Sequence, residues 1–202
     1  LLEKIRRPAL ASLTLLTGCK GGELTPFAAS TALTVMRVPI PLSDTHLRTL
    51  SALTNLIELP KIELKSLEPL ASFTKLQSLC VNIVDDDDQR EQQPQAESWQ
   101  QHLQPLRQMS SLTALELRSK WTAAAGIFSE LPPSLQTLTL YLPRYFDRFG
   151  IAVIDLPIDL IVELQFLPEL KRLKVTASRA FATIAHRIKE LTSGKCVVDF
   201  IR

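Results

Sequence analysis

The chain has 202 residues, 46% of them hydrophobic and 22% charged, with a formal net charge of +2. That is enough apolar material for one domain with its own core, and it excludes a wholly disordered chain. The near-neutral balance argues against a dedicated nucleic-acid binder, whose footprint is strongly basic.

Leucine is the outlier, with 36 residues against 12 aromatics and six glycines. Cys19, Cys80 and Cys196 lie too far apart to suggest a disulfide framework or a zinc pattern. The most apolar stretch, residues 150–162, is interrupted by Asp155, Pro157 and Asp159. It falls short of the roughly 20 apolar residues that a membrane span needs. The opening LLEKIRR lacks an initiating methionine and the basic-then-apolar order of a signal peptide, so a fragment of a longer chain is expected. No N-x-S/T acceptor occurs, which favours an intracellular protein.

Taken in chain order, apolar residues at every third position lead repeatedly into a short L-x-L segment. Leu10, Leu13 and Leu15 form a first, degenerate copy, and Leu24, Phe27, Ser30, Leu33 and Val35 a second. Leu50, Leu53, Leu56 and Leu59 form a third, whose strand register has two solutions. Leu59-Pro60-Lys61 is a poor central strand because Pro60 lacks an N–H, while Ile62-Glu63-Leu64 sits only 17 residues before its successor. Fuller copies run through Leu67, Leu70, Phe73, Leu76, Leu79 and Val81, and then through Leu103, Leu106, Met109, Leu112, Leu115 and Leu117. Two more end on Leu135, Leu138 and Leu140 and on Leu170, Leu173 and Val175.

The two halves of the pattern have different physics. In L-x-L both leucines point to one side of a strand and the residue between them to the other. Apolar residues at every third position suit an approach segment that returns the chain to the next strand. One such unit cannot bury its own leucine face, whereas stacked neighbours can. The strand-starting leucines fall near 13, 33, 59, 79, 115, 138 and 173, and most steps match a 20–29-residue circuit. A helical bundle would also accept L-x-x-L spacing. Strand-like closures such as TLTL and ALELR, together with 13 prolines, weigh against it.

The sequence resembles the leucine-rich repeat family over nearly its whole length, residues 1–202, read as a single domain. The resemblance implies an α/β fold: a curved solenoid with a parallel sheet on its concave face, and helices and loops on the convex face. It also implies protein binding. One departure is plain. The family usually places Asn or Cys three residues after the second strand leucine, and here those positions hold Gly18, Val38, Val84, Lys120, Pro143 and Ser178.

Two insertions interrupt the circuits. Residues 85–98 are acidic (DDDDQREQQPQAES), without the turn glycine or spacing of a calcium loop, and are expected to be a solvated loop. Deleting residues 85–94 should therefore leave the thermal unfolding transition unchanged. A loss of several degrees, or stabilisation by calcium, would contradict this. Trp99, Leu103 and Leu106 mark one face of a following helix on the convex side. Residues 141–160 gather Tyr141, Tyr145, Phe146 and Phe149 with Arg144 and Arg148, as a satellite core or as a rim of binding anchors. Beyond them, Phe181, Ile184, Ile188 and Leu191 share a helical face, Gly194 stops it, and CVVDF reads as a last strand.

Catalytic constellations are poor. His46, His102 and His186 stand on unrelated segments, no G-x-S-x-G elbow occurs, and the glycine turns at 18–22 and 194–196 lack P-loop spacing. No enzyme activity, cofactor or metal site is expected. The leading expectation is a monomeric scaffold that holds a partner protein, with no nucleic acid or membrane, through residues flanking the strand leucines. These are Ser12 and Thr14, Thr34 and Met36, Ser78 and Asn82 at the N-terminal end. Towards the C-terminal end they are Glu116, Arg118, Thr139, Tyr141, Arg172 and Lys174, the expected partner-binding set. An alternative comes from residues 156–185, which resemble an F-box through Leu156, Pro157, Asp159, Leu160, Leu167, Pro168 and Phe181. That resemblance implies a substrate adaptor of a ubiquitin ligase.

Overall fold

The computed structural model describes residues 12–14, 24–38, 41–84, 103–118, 126–141, 145–146, 152–153, 163–176 and 196–201. Its strands are β1 (Ser12–Thr14), β2 (Val35–Arg37), β3 (Ile62–Leu64), β4 (Ser78–Ile83), β5 (Ala114–Arg118), β6 (Thr137–Tyr141), β7 (Tyr145–Phe146), β8 (Ala152–Val153), β9 (Arg172–Thr176) and β10 (Val197–Ile201). Strands β3, β4, β5, β6, β9 and β10 form a six-stranded sheet in that order, and every pairing in it is parallel. β1 and β2 pair in parallel as well, and single bridges from Val35 to Glu58 and from Glu58 to Ser78 carry the ladder across to them. The parallel sheet expected from the repeats is therefore present.

Each parallel strand needs a crossover to bring the chain back, and here the period-three leucines build it. In the segment before β4, the N–H of Leu70 donates to the carbonyl of Leu67, that of Phe73 to Leu70, and that of Leu76 to Phe73. These bonds are 2.9–3.2 Å long. The same relay links Leu24, Phe27, Ser30 and Leu33, then Leu50, Leu53 and Leu56, then Leu106, Met109 and Leu112, then Leu164, Leu167 and Leu170. An i→i−3 bond closes a three-residue turn, and three residues per turn keep every third side chain on one face. The L-x-x-L spacing is thus a staircase of tight turns, one leucine to a step. Short 3-10 segments at Thr25–Phe27, Glu68–Ser72, Ile127–Glu130 and Leu164–Phe166 are its most regular parts.

One α-helix, α1 (Asp44–Thr49), replaces the first steps before Leu50. Ser43 and His46 start it as a reciprocal cap, with the Ser43 N–H donating to His46 Nδ1 at 3.0 Å. A helical turn at 103–107 plays the same part ahead of β5 and buries Leu103 and Leu106, as expected for this segment.

The staircase leucines and the inward strand residues meet in one continuous core between sheet and turns. Leu79 and Val81, Leu115 and Leu117, Leu138 and Leu140, and Leu173 and Val175 all lie in it, register-matched across the sheet. Side chains just ahead of the strands tie successive circuits together. Asn55 Nδ2 donates to the Thr31 carbonyl at 2.9 Å, Thr113 Oγ1 to that of Gln77 at 3.1 Å, and Ser134 Oγ to that of Leu112 at 2.8 Å.

The register corrects one sequence expectation and resolves one alternative that the sequence leaves open. In the second copy Leu13 pairs with Met36 and not with Leu33, so Met36 is the inward strand residue and is fully buried. Met36 therefore does not belong to the outward set. Leu33 occupies the last step of the staircase, as Leu56 and Leu76 do, and the repeat steps from 13 to 36 to 59 become equal. The third copy, whose register the sequence leaves open, takes the second of its solutions: β3 is Ile62–Leu64, and residues 59–61 form no strand. Glu58 pairs with Ser78 and Ile62 with Val81, so three residues (59–61) face two (79–80). That is a β-bulge, a place in a sheet that tolerates the missing N–H of Pro60. Leu59 and Ile62 are both buried in consequence.

The acidic insertion, Trp99 and the helix expected near 181–191 lie outside the described residues. Of the aromatic insertion, Tyr141 ends β6, and β7 and β8 form a small antiparallel pair. Within the F-box-like segment, residues 172–176 are a strand between β6 and β10, and Leu164, Leu167, Leu170 and Leu173 lie in the core. An F-box is a small helical unit, so the strand runs against that alternative. The last strand expected from CVVDF is present as β10.

Candidate binding surface

Alternation along each strand leaves every second side chain on the face away from the leucine core. Parallel register then aligns these residues into rows across the sheet, with neighbouring strands about 4.8 Å apart. The first row runs Ser78, Ala114, Thr137, Arg172 and Val197. The second runs Cys80, Glu116, Thr139, Lys174 and Asp199, and the third joins Glu63, Asn82, Arg118 and Tyr141. All six residues of the expected partner-binding set thus stand on one face of three adjoining strands, β5, β6 and β9.

Their environments differ. The Arg118 guanidinium lies flat over the Tyr141 ring, 3.7 Å from its centroid, and its Nη2 is 3.5 Å from Glu116 Oε1. The three side chains form one stacked polar cluster on the face. Burial pulls the Arg118 pKa down, but the bond to Tyr141 and the Glu116 charge outweigh it, so the net shift is upward. Thr139 is on the expected face yet only 8% exposed, crowded between Glu116 and Lys174 of the adjoining strands. It contributes floor and little contact area. Arg172 projects into solvent and pairs through Nε with Asp199 Oδ2 at 3.3 Å.

Several residues on this face were not singled out from the sequence. Asp199 belongs to the strand after Lys174, and alternation applied to CVVDF would have found it. Glu58, Lys61 and Glu63 depend on the bulge at Pro60, which local pattern alone does not reveal. Ion pairs join Lys61 to Glu63 and Arg37 to Glu58, both at 3.4 Å.

Cys80 also lies here, half-buried beside Glu116. Burial, then the charge of Glu116 and a hydrogen bond to it, push its pKa from 9.0 to about 11, against the opposing pull of Arg118 and Lys61. A thiol with a raised pKa stays neutral, and neutral thiols are poor nucleophiles. Cys80 should therefore resist iodoacetamide at pH 7.5 in the folded protein and react only as the pH passes about 10. Because the folded value lies above 9.0, this group favours folding below pH 9 and loses that contribution as the pH rises through about 11. Mass spectrometry of the alkylated peptide checks the prediction, and rapid labelling at pH 7.5 would contradict it.

Among the described residues no group of three His, Cys, Asp or Glu is placed to hold a metal ion, and no helix is long and apolar enough to cross a membrane. No family model matches the chain. No curated protein matches it either. Among solved structures it is similar to an internalin from Listeria monocytogenes, with 19% sequence identity and a TM-score of 0.45. The match covers 88% of this chain and 57% of the internalin, so the chain spans little more than half of that protein's length.

Proposed function

We propose that the chain is a leucine-rich-repeat solenoid that binds a partner protein on the concave, open face of its sheet. The observation that carries the reading is the register: strands β4, β5, β6, β9 and β10 align residues distant in sequence into continuous outward rows. Side chains held in register on a sheet need less ordering on binding, which favours association. Arginine and tyrosine dominate binding hot spots, and the Arg118–Tyr141 stack stands at the C-terminal ends of the two middle strands, β5 and β6. A binding role suits the face better than thiol catalysis, since Cys80 is held protonated.

The test compares Arg118→Ala, Tyr141→Ala and Arg172→Ala combined with a control on the opposite side, Arg48→Ala with Lys75→Ala. Both variants are first checked for an unchanged melting profile. Proteins that co-purify with the parent should be lost with the triple variant and kept with the control. The reverse outcome would move the binding site to the turn side.

A further inference from the structure

We infer that the partner anchors itself with a carboxylate, an Asp or Glu side chain, seated over β9 beside Lys174. The inference rests on the proposed binding face and adds to it the chemistry of one contact. On the outward positions of the ladder from Arg37 to Asp199, the described residues include five cations and four anions. Every anion is already used. Glu58 pairs with Arg37, Glu63 with Lys61, Glu116 with Arg118 and Asp199 with Arg172, all within 3.3–3.5 Å.

Among the described residues Lys174 is the cation of this set with no ion pair. Its register partner on β10 is Asp199, which bonds Arg172 instead, and its partner on β6 is the uncharged Thr139. Arg172 stands two residues away on the same strand and face, and it pairs with Asp199 through Nε. A guanidinium carries five N–H donors, so most of this one stays available to a second acceptor. An incoming carboxylate over β9 would meet the ammonium of Lys174 and the free edge of Arg172, with the Tyr141 ring near by. Elsewhere on the face a partner charge would have to break an existing pair, which costs it that pair's energy. Fixed charges at one point chiefly govern specificity and register.

The experiment pans a displayed library of random dodecapeptides on the intact chain and measures the recovered peptides individually. The expected result is that they share an acidic residue and weaken about ten-fold or more with Lys174→Glu. Changing the peptide's acid to lysine should weaken binding to the parent and restore it to the Lys174→Glu variant. Peptides lost with Tyr141→Ala but indifferent to Lys174→Glu would overturn the carboxylate anchor and leave the binding face standing. Peptides indifferent to both substitutions would overturn the face as well. Charge-swap rescue separates the anchor from a merely structural lysine, because a folding defect is not repaired by altering the peptide.

Discussion

Leu115→Ala or Leu138→Ala lowers the stability of the folded chain by about 2–5 kcal/mol, the cost of removing a buried leucine and leaving a cavity. Both residues are essentially inaccessible, and they face each other as register partners in neighbouring strands. The site cannot readily collapse around the loss. On one side the strand is fixed by its backbone ladder, and on the other the staircase is pinned turn by turn. Stacked repeats also stabilise one another through their shared faces, so a cavity in one circuit weakens its neighbours. For a chain of this size the loss corresponds to roughly 2–4 °C of melting temperature per kcal/mol. Thr137→Ala, one residue before Leu138 on the outward face, should stay within about 0.5 kcal/mol of the parent. Urea titration of the three variants measures the contrast. Equal stability for Leu138→Ala and Thr137→Ala would mean that the inward and outward assignments are reversed.

That contrast was legible in the sequence wherever a circuit followed the pattern without a competing residue. Leucines at every third position and then at every second are sorted by burial alone, and no distant contact is needed to read them. Register failed where two apolar residues competed. Leu33-Thr34-Val35 imitates the L-x-L of the other copies, and only the pairing with Leu13 shows that Met36 takes the strand position. At residues 59–64 both readings were available, and the structure takes Ile62–Leu64 as the strand, with a one-residue bulge ahead of it. The face was legible to the same degree, since alternation placed Glu116, Arg118, Tyr141, Arg172 and Lys174 correctly on it. What alternation could not show is how neighbours share that face. The burial of Thr139, the stacking of Arg118 on Tyr141 and the Arg37–Glu58 and Arg172–Asp199 ion pairs depend on segments 21 to 35 residues apart in sequence.

The same long-range character marks the contact with the second largest expected effect. Residues 142–162 separate β6 from the next circuit, and Glu163 is where the described chain resumes. Its carboxylate does not face solvent alone. It reaches back across the sequence to accept hydrogen bonds from the N–H groups of Gly126 and, at 3.3 Å, Phe128. Those groups open the 3-10 segment Ile127–Glu130 and have no partner inside it, as at any helical start. Gly126 makes the approach available, because its φ of 82° is a left-handed conformation that costs a side-chain-bearing residue energy. One carboxylate thus satisfies two orphaned donors and ties the β9 circuit to the β6 circuit at its first step. Hydrogen bonds to a charged group contribute about 1.5–3 kcal/mol, and leaving half-buried donors bare adds to the loss. Glu163→Ala should therefore destabilise the chain by about 1.5–3 kcal/mol. Glu163→Gln, which keeps one acceptor oxygen, should fall between it and the parent. Glu68→Gln, which removes the charge of a solvent-exposed ion pair with Arg48, should change stability by no more than about 0.5 kcal/mol. Hydrogen exchange sharpens the test, since the Phe128 amide should lose protection in Glu163→Ala before global unfolding does. If that amide exchanges at the parent's rate, the carboxylate is not its acceptor and the tie between the two circuits lies elsewhere.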